Sequence, residues 1–392
     1  MVNSPDPEAL SPHEQQRYAR HLSLPGFSVQ SQHILRDSRV LVIGAGGLGS
    51  SSLLYLAAAG VGHITIIDDD VVDESNLQRQ IIHTESRIGK SKVESSRETL
   101  LALNSRLHVT AISEGLHPDN AVALFQEHDV VLDGSDNFLT RYLAADASEI
   151  SGTPLVWATI SQFFAQLSVF WPDRGPGLRD LYPEIPDPDS VPSCAEGGVL
   201  GALVGMVGSY MAAEAIKVLT KIGEPALGKL IVMDVFDATF RTFSFASDPQ
   251  RKPVTSLAEI TALWRDRPSV HSYSPVVDVK PDDVRTMVDD GAILVDVRDA
   301  KERSEGFIPR SYGVPLAEVL EQGWDSLKDA MSECPEPSDI ILYCRTGVRS
   351  RRAIAHLVQH REESRWGDSL RLFNAAGGIE AWRAVFPEDV ER

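Results

Sequence analysis

The glycines at 44, 46, 47 and 49, in the run GAGGLG, constrain this chain more than any other stretch. Before them, Arg39 to Ile43 is a short apolar run; after them, Leu48 to Ala59 reads as a helix with Gly60 as its cap. His63 to Ile67 is a second apolar run, and Asp68 stands at its end. A glycine turn opening a helix lets backbone N–H groups approach phosphate oxygens. A strand–turn–helix–strand unit of this kind implies a largely parallel sheet covered by helices.

The alternation continues. Helices are expected near 90–103 and 118–127, and strands near 107–112, 130–133, 155–158, 166–170 and within 232–245. Upstream, Ser11-Pro12-His13-Glu14 is a capping box with proline at the first helical position, and its helix carries Arg17, Tyr18 and Arg20. Residues 172–192 are rich in Pro, Asp and Gly and read as a surface loop that delivers Cys194 to a glycine-rich helix. Residues 248–276 read as a linker. A second α/β pattern follows, with a helix over 281–290, strands over 292–297 and 340–343, Cys344, and a helix over 350–360. The expected architecture is a Rossmann-like domain over 1–247 and a smaller α/β domain over 277–392, in keeping with 392 residues.

A formal net charge of −19 argues against a nucleic-acid partner, which takes a surplus of Lys and Arg to neutralise. Val199 to Leu219 is the best membrane candidate, but Glu214 and Lys217 interrupt it. Its glycines at 201, 205 and 208 suit a tightly packed core helix, so no membrane partner is expected. The first residues lack the basic and apolar regions of a signal peptide. Cys194, Cys334 and Cys344 form no C-x-x-C pair, which points to a reducing, cytoplasmic setting.

Glycines with an acid some way on are also the fingerprint of dinucleotide enzymes, and Asp68 lies 24 residues after Gly44. An NAD(P)-dependent oxidoreductase is therefore the first competitor. Asp70, Asn76, Gln78 and Arg79, crowded behind Asp68, fit better an enzyme that orients a triphosphate and neutralises departing pyrophosphate. Arg79, Lys92 and Arg20 are candidate cations. Asp136 follows a strand end, a suitable place for a carboxylate that holds Mg²⁺ together with phosphate oxygens.

Residues 11–247 resemble the MoeB/ThiF adenylyltransferases, relatives of the ubiquitin-activating enzymes. The resemblance runs through RYARH, GAGGLG, DDDVVDESNLQRQ, GKSKVES, LDGSDN and CAEGGVLG. It implies that ATP lies on the glycine loop, with Asp68 on the ribose, Arg79 and Lys92 on the phosphates, and Asp136 on magnesium. It further implies a homodimer in which Arg20 reaches the ATP of the other protomer. Such proteins often bind a structural zinc through two C-x-x-C pairs. The corresponding stretches here read GLRD at 177–180 and PQRK at 249–252, so no zinc is expected.

Cys344 lies between a strand and a helix, where loop N–H groups and the helix N-terminus can stabilise a thiolate. Four residues separate it from Arg349, a loop one residue shorter than that of cysteine phosphatases and better sized for a single sulfur. Residues 277–392 resemble a rhodanese domain through DVRDAKERSEGFIPRSYGVPL, CRTGVRS and AAGGIEAW. Phe307 and Arg310 stand where that family usually has His and Gly. The resemblance makes Cys344 the persulfide-bearing nucleophile and Arg349 a residue that positions its loop. Asp296 and Arg298 are expected to be a structural ion pair. The match places Cys194 where attack on an acyl adenylate or resolution of a disulfide has been proposed; Cys334, beside Pro335, is expected to be inert.

Adenylation and sulfur chemistry on one chain imply activation of a ubiquitin-like sulfur carrier ending in Gly-Gly, with a cysteine desulfurase or thiosulfate as sulfur donor. The competing classes are an NAD(P)-dependent oxidoreductase fused to a sulfurtransferase, and a non-catalytic scaffold that docks carriers.

Overall fold

Ile43, the last residue of the first strand, has neighbours on both sides that fix where the glycine turn emerges. In the computed structural model, which describes residues 10–185, 198–265, 276–332, 339–360 and 370–391, strand β1 (Arg39–Ile43) runs parallel to β2 (His63–Ile67) and to β4 (Val130–Asp133). Ile43 pairs with Ile67 on one side and Asp133 on the other. Gly44, Asp68 and Gly134 therefore leave the sheet side by side at the carboxyl ends of adjacent strands. In an open α/β sheet this is the crevice in which ligands bind.

The sheet continues with β3 (His108–Ile112), β5 (Leu155–Ser161), β6 (Phe164–Phe170), β7 (Lys229–Asp234) and β8 (Thr239–Ser244), in the order β3-β2-β1-β4-β5-β6-β7-β8. The first five strands are parallel and the last three antiparallel. Strands β5 and β6 run longer than the expected 155–158 and 166–170, because they close a hairpin in which Ser161 faces Phe164. Apolar side chains fill the space on both faces of the sheet.

Ser11 caps the first helix as expected: its hydroxyl accepts from Glu14 N–H while the Glu14 carboxylate accepts from Ser11 N–H. The helix ends at Arg17, and Arg20 sits on a separate short helix, Ala19–Leu22. Gly60 ends the helix Gly47–Ala59 in the left-handed conformation at φ 86°.

The helix Gly201–Thr220 is long and apolar enough to cross a membrane, yet Leu203, Val207, Met211 and Ala215 are wholly buried in the core. It lies against Gly47–Ala59 at Gly208, where a Cβ would stand 2.1 Å from Ser51 Oγ. Ser52 Oγ donates to Gly208 O at 2.9 Å, fastening the two helices. Gly205 departs from the expectation of close packing, since a Cβ there would meet nothing within 4 Å among the described residues. Glu214, fully buried, is paired with Lys217 and accepts from Ala226 N–H. The two charges that interrupt the apolar run thus satisfy each other.

Contacts divide the chain into Met1–Trp264 and Arg265–Arg392. Part of the segment read as a linker is held by the first unit: Arg251 pairs with Asp180 and Glu149, and Ile260, on the helix Ala258–Arg265, is fully buried. Arg251 and Asp180 belong to the two stretches, PQRK and GLRD, that stand in place of C-x-x-C pairs, and here they join by an ion pair.

The second unit has a parallel sheet ordered β11-β10-β12-β13-β9, from β9 (Val277–Val279), β10 (Ile293–Asp296), β11 (Ser311–Gly313), β12 (Asp339–Tyr343) and β13 (Arg371–Ala375). Cys344 follows the central strand β12, and the helix Val348–Gln359 begins four residues later.

Candidate active sites: a glycine crevice and a buried cysteine

Asp68 does two things at once in the first crevice. Its Oδ2 accepts from Ala45 N–H at 2.7 Å, in the glycine turn, and its Oδ1 accepts from Asp70 N–H at 2.8 Å. Burial raises its carboxyl above the ordinary range, against the pull of Lys92 and these two N–H groups. Lys92, itself only 5 % exposed, donates to Asp70 Oδ2 at 2.8 Å. Backbone bonds between Val72 N and Lys90 O, and between Lys92 N and Asp70 O, set this register. Asp68, Asp70 and Lys92 are thus tied to the turn as a group. Asp68, Asp69 and Asp70 also bring carboxylate oxygens within 4.8 Å of one another.

Gly44 has φ 87°, and a Cβ on it would lie 3.0 Å from Gly134 O. The glycine turn and the turn after β4 therefore touch, two residues from Asp136. The cap of the next helix, Phe138–Ser151, is Asn137, whose side chain accepts from Thr140 N–H at 2.9 Å. Asp136 is exposed and is spared that duty. Arg79 lies over the turn, its Cγ 3.6 Å from where a Gly47 Cβ would be, with Nη1 donating to Ser75 O at 3.1 Å. Asn76 occupies a single helical turn, Glu74–Asn76, donating to Ser75 Oγ, while its carbonyl accepts from Arg79 and Gln80. Arg20 is exposed on its short helix. Cys194 and Cys334 lie outside the described residues.

Among the described residues, no side chain caps the first turn of the helix Gly47–Ala59. Its N-terminal donors and positive dipole end are left for an anion. A triphosphate fits that cradle. Magnesium fits the exposed Asp136 carboxylate, as this ion takes one or two carboxylates plus phosphate oxygens.

Sequence reasoning passed over several residues here. His83, 5 % exposed, bonds through Nε2 to Ala45 O at 3.0 Å and through Nδ1 to Ser95 Oγ at 2.8 Å. The only clue was a histidine three residues after the QRQ stretch. Asp133 is fully buried; its Oδ1 accepts from Ser135 N–H and Oγ, while its Oδ2 has no partner among the described residues. Burial raises that carboxyl, Arg141 opposing. Beyond Arg141 lies a cavity of about 750 Å³ walled by Phe138, Tyr142, Trp157, Phe164 and Tyr182.

In the second unit, Cys344 is fully buried and its Sγ accepts from Gly347 N–H at 3.1 Å; Ser350 Oγ lies 3.6 Å away. Arg349 closes the loop by a two-point bond to Glu302, at 2.6 and 2.7 Å. Nothing in the sequence distinguished Glu302 from other surface acids. Asp296 and Arg298 do form a buried ion pair, with bonds of 2.9 and 2.7 Å, which Arg303 and Tyr343 extend. Burial, with Asp296 alongside, pushes the Tyr343 hydroxyl up to about 12. Arg310 has φ 64°, a left-handed conformation that explains why glycine suits this position, and its side chain reaches Asp289. Phe307 packs under the Arg303 guanidinium at 4.1 Å.

Known proteins resemble both units. The ThiF family profile matches residues 18–254, and the rhodanese-like domain profile matches 280–385. The probable adenylyltransferase/sulfurtransferase MoeZ of Mycobacterium tuberculosis is 43% identical over 97% of this chain and 96% of its own. The adenylyltransferase and sulfurtransferase MOCS3-1 of Zea mays is 35% identical over 95% and 82%. Among solved structures, E. coli MccB with ATP superimposes with a TM-score of 0.53 at 22% identity, covering 61% of this chain and 74% of that one. E. coli MccB alone gives 0.55 at 20%, covering 64% and 73%. These two show a shared fold. The chain belongs to the ThiF family, carries a rhodanese-like domain after it, and is an enzyme of the adenylyltransferase and sulfurtransferase type.

Proposed function

We propose that the first unit joins AMP from ATP to the C-terminal Gly-Gly carboxylate of a ubiquitin-like sulfur carrier, and that the second supplies the sulfur that makes a thiocarboxylate. The observation that carries this reading is the contact of Gly44 with Gly134, which sets the Asp136 turn against the glycine turn. A triphosphate on the uncapped helix would have Arg79 and Lys92 for its charge and Asp68 for the ribose. Magnesium held by Asp136 would neutralise the phosphate oxygens as pyrophosphate departs. The carrier carboxylate attacks the α-phosphorus, forming an acyl phosphate bond and releasing pyrophosphate. The cavity beside Arg141 suits the carrier's extended tail, for it is apolar, large and next to that turn.

The terminal sulfur of a Cys344 persulfide then attacks the acyl carbon, and AMP leaves. A thiol, for which Cys194 is the candidate, cleaves the resulting acyl disulfide, leaving thiocarboxylate and a protein disulfide. A cellular dithiol reduces that disulfide, itself being oxidised, and cysteine desulfurase or thiosulfate then reloads the freed Cys344 thiolate. The Gly347 N–H at 3.1 Å favours negative charge on sulfur, and a persulfide is a strong nucleophile at neutral pH. A homodimer in which Arg20 reaches the partner's nucleotide belongs to the same reading. Replacement of Asp136 by Ala should abolish carrier-dependent ATP–pyrophosphate exchange; unchanged exchange removes its assigned role.

A further inference from the structure

Ala45 is clamped from both sides, and the clamp determines where the next N–H points. Its own N–H donates to Asp68 Oδ2 at 2.7 Å, and its carbonyl accepts at 3.0 Å from His83 Nε2. Because that carbonyl can only accept, Nε2 carries the proton. Nδ1 is then an acceptor, so Ser95 Oγ, at 2.8 Å, donates to it. Arg87 stands behind Ser95, donating to its main-chain oxygen and to Thr99 Oγ1. The protons of Ser95 Oγ and His83 Nε2 are thereby both assigned in one direction, toward the Ala45 carbonyl.

The Ala45 carbonyl and the Gly46 N–H belong to one peptide unit. In a trans peptide these two groups point in opposite directions, and no cis bond occurs among the described residues. With the carbonyl drawn inward to a histidine 5 % exposed, the Gly46 N–H is turned outward, to the side where the helix Gly47–Ala59 opens uncapped. A hydrogen bond accepted by the carbonyl also polarises the peptide and strengthens its N–H as a donor.

We propose that His83 is a positioning residue of the adenylation site: its Nε2–H fixes the Ala45–Gly46 peptide so that Gly46 N–H donates to a nucleotide phosphate oxygen. The inference rests on the nucleotide reading above and gives the loop its donor.

The test compares His83→Gln, whose amide can place an N–H near the Nε2 position, with His83→Leu, of similar bulk and no donor. Binding of α,β-methylene-ATP with magnesium is measured by calorimetry on the full chain without carrier. Circular dichroism and the melting temperature of the first unit check that each variant is folded. His83→Leu is expected to weaken nucleotide binding about tenfold, the worth of a charge-assisted hydrogen bond, and to raise the KM for ATP likewise. His83→Gln should stay within about threefold of the parent, rescued by the restored donor. Equal affinities for the two variants, whether both strong or both weak, overturn the proposal, since packing alone would then account for His83. No nucleotide binding by the parent chain overturns it together with the adenylation reading. Binding with the expected difference, but no exchange with any carrier, leaves the clamp standing and removes the carrier.

Discussion

Arg251 reaches Asp180, 71 residues earlier, with two nitrogens, Nε 2.8 Å from Oδ1 and Nη2 3.4 Å from Oδ2. Its remaining nitrogen donates to both Glu149 oxygens at 3.1 Å. The Asp180 side chain is 1% exposed and also takes N–H bonds from Gly177 and Asp248. Burial raises its carboxyl, but the bonds from Arg251 and the backbone outweigh burial and leave it below the usual carboxylate value. One arginine thus fastens residues 248–254 to the first unit.

Replacing Arg251 with Ala leaves a buried carboxylate uncompensated and should cost about 2–3 kcal/mol, less than a fully buried pair because Arg251 is partly exposed. Limited proteolysis should then cut between 248 and 264 well before the parent chain is cut there. The group is stabilising above about pH 4, and that contribution is lost as pH falls through the lowered value. An unchanged digestion pattern would show that the segment is held by Ile260 and its neighbours alone.

Gly49 tolerates no side chain. A Cβ there would stand 2.0 Å from Gly44 O, inside the turn itself. Gly49→Ala should destabilise the first unit by about 1–3 kcal/mol and reduce pyrophosphate exchange at least a hundredfold, since the turn must open to admit the methyl. Thiosulfate–cyanide transfer at Cys344 should persist. Loss of both activities together would point to failed folding of the whole chain.

Two buried histidines make stability depend on pH. His83 and His128 are held below the usual 6.5, chiefly by burial, although carbonyls at Ala45 and Leu124 oppose it. In the unfolded chain both protonate near pH 6.5; in the folded chain they do so only at lower pH. Their stabilisation is complete above about 6.5 and is lost as pH falls through the folded values. Melting temperatures of the parent and of His83→Gln/His128→Gln, compared from pH 7.5 to 5.5, should converge as pH falls. Parallel curves would mean that neither imidazole resists protonation.

Glu302 neutralises Arg349 beside the sulfur loop, and the bond from Arg349 holds its carboxyl below the ordinary value despite burial. Glu302→Gln removes that charge while keeping the shape. The KM for the thiosulfate dianion should fall about two- to fivefold, with the gain shrinking as salt is raised. A rise in KM, or salt-independence, would mean that Glu302 serves only to place Arg349.

The residues that could be read from the sequence are those whose partners are close in it. Ser11 and Glu14, the Gly44–Asp68 unit and the Cys344 loop each announce themselves within about thirty residues. Local patterning also placed the strand ends that carry Gly44, Asp68 and Gly134, because a parallel strand and its helix form a repeating period. Arg251 with Asp180, Glu302 with Arg349, and His83 with Ala45 could not be foreseen. Each pairs ordinary residue types across a distance that only the fold closes. Helix patterning likewise misjudged Gly205, which lies on the same helix as Gly208 but has no close neighbour among the described residues.

Under the proposed function, Cys344 delivers sulfur to an acyl group activated in the first unit. Intact mass of a Gly-Gly-ended carrier, after incubation with this protein, Mg·ATP, thiosulfate and a thiol reductant, tests it most directly. The expected result is a gain of about 16 Da, one oxygen replaced by sulfur, that disappears with Cys344→Ala while AMP formation continues. The same gain in the Cys344→Ala protein would contradict it.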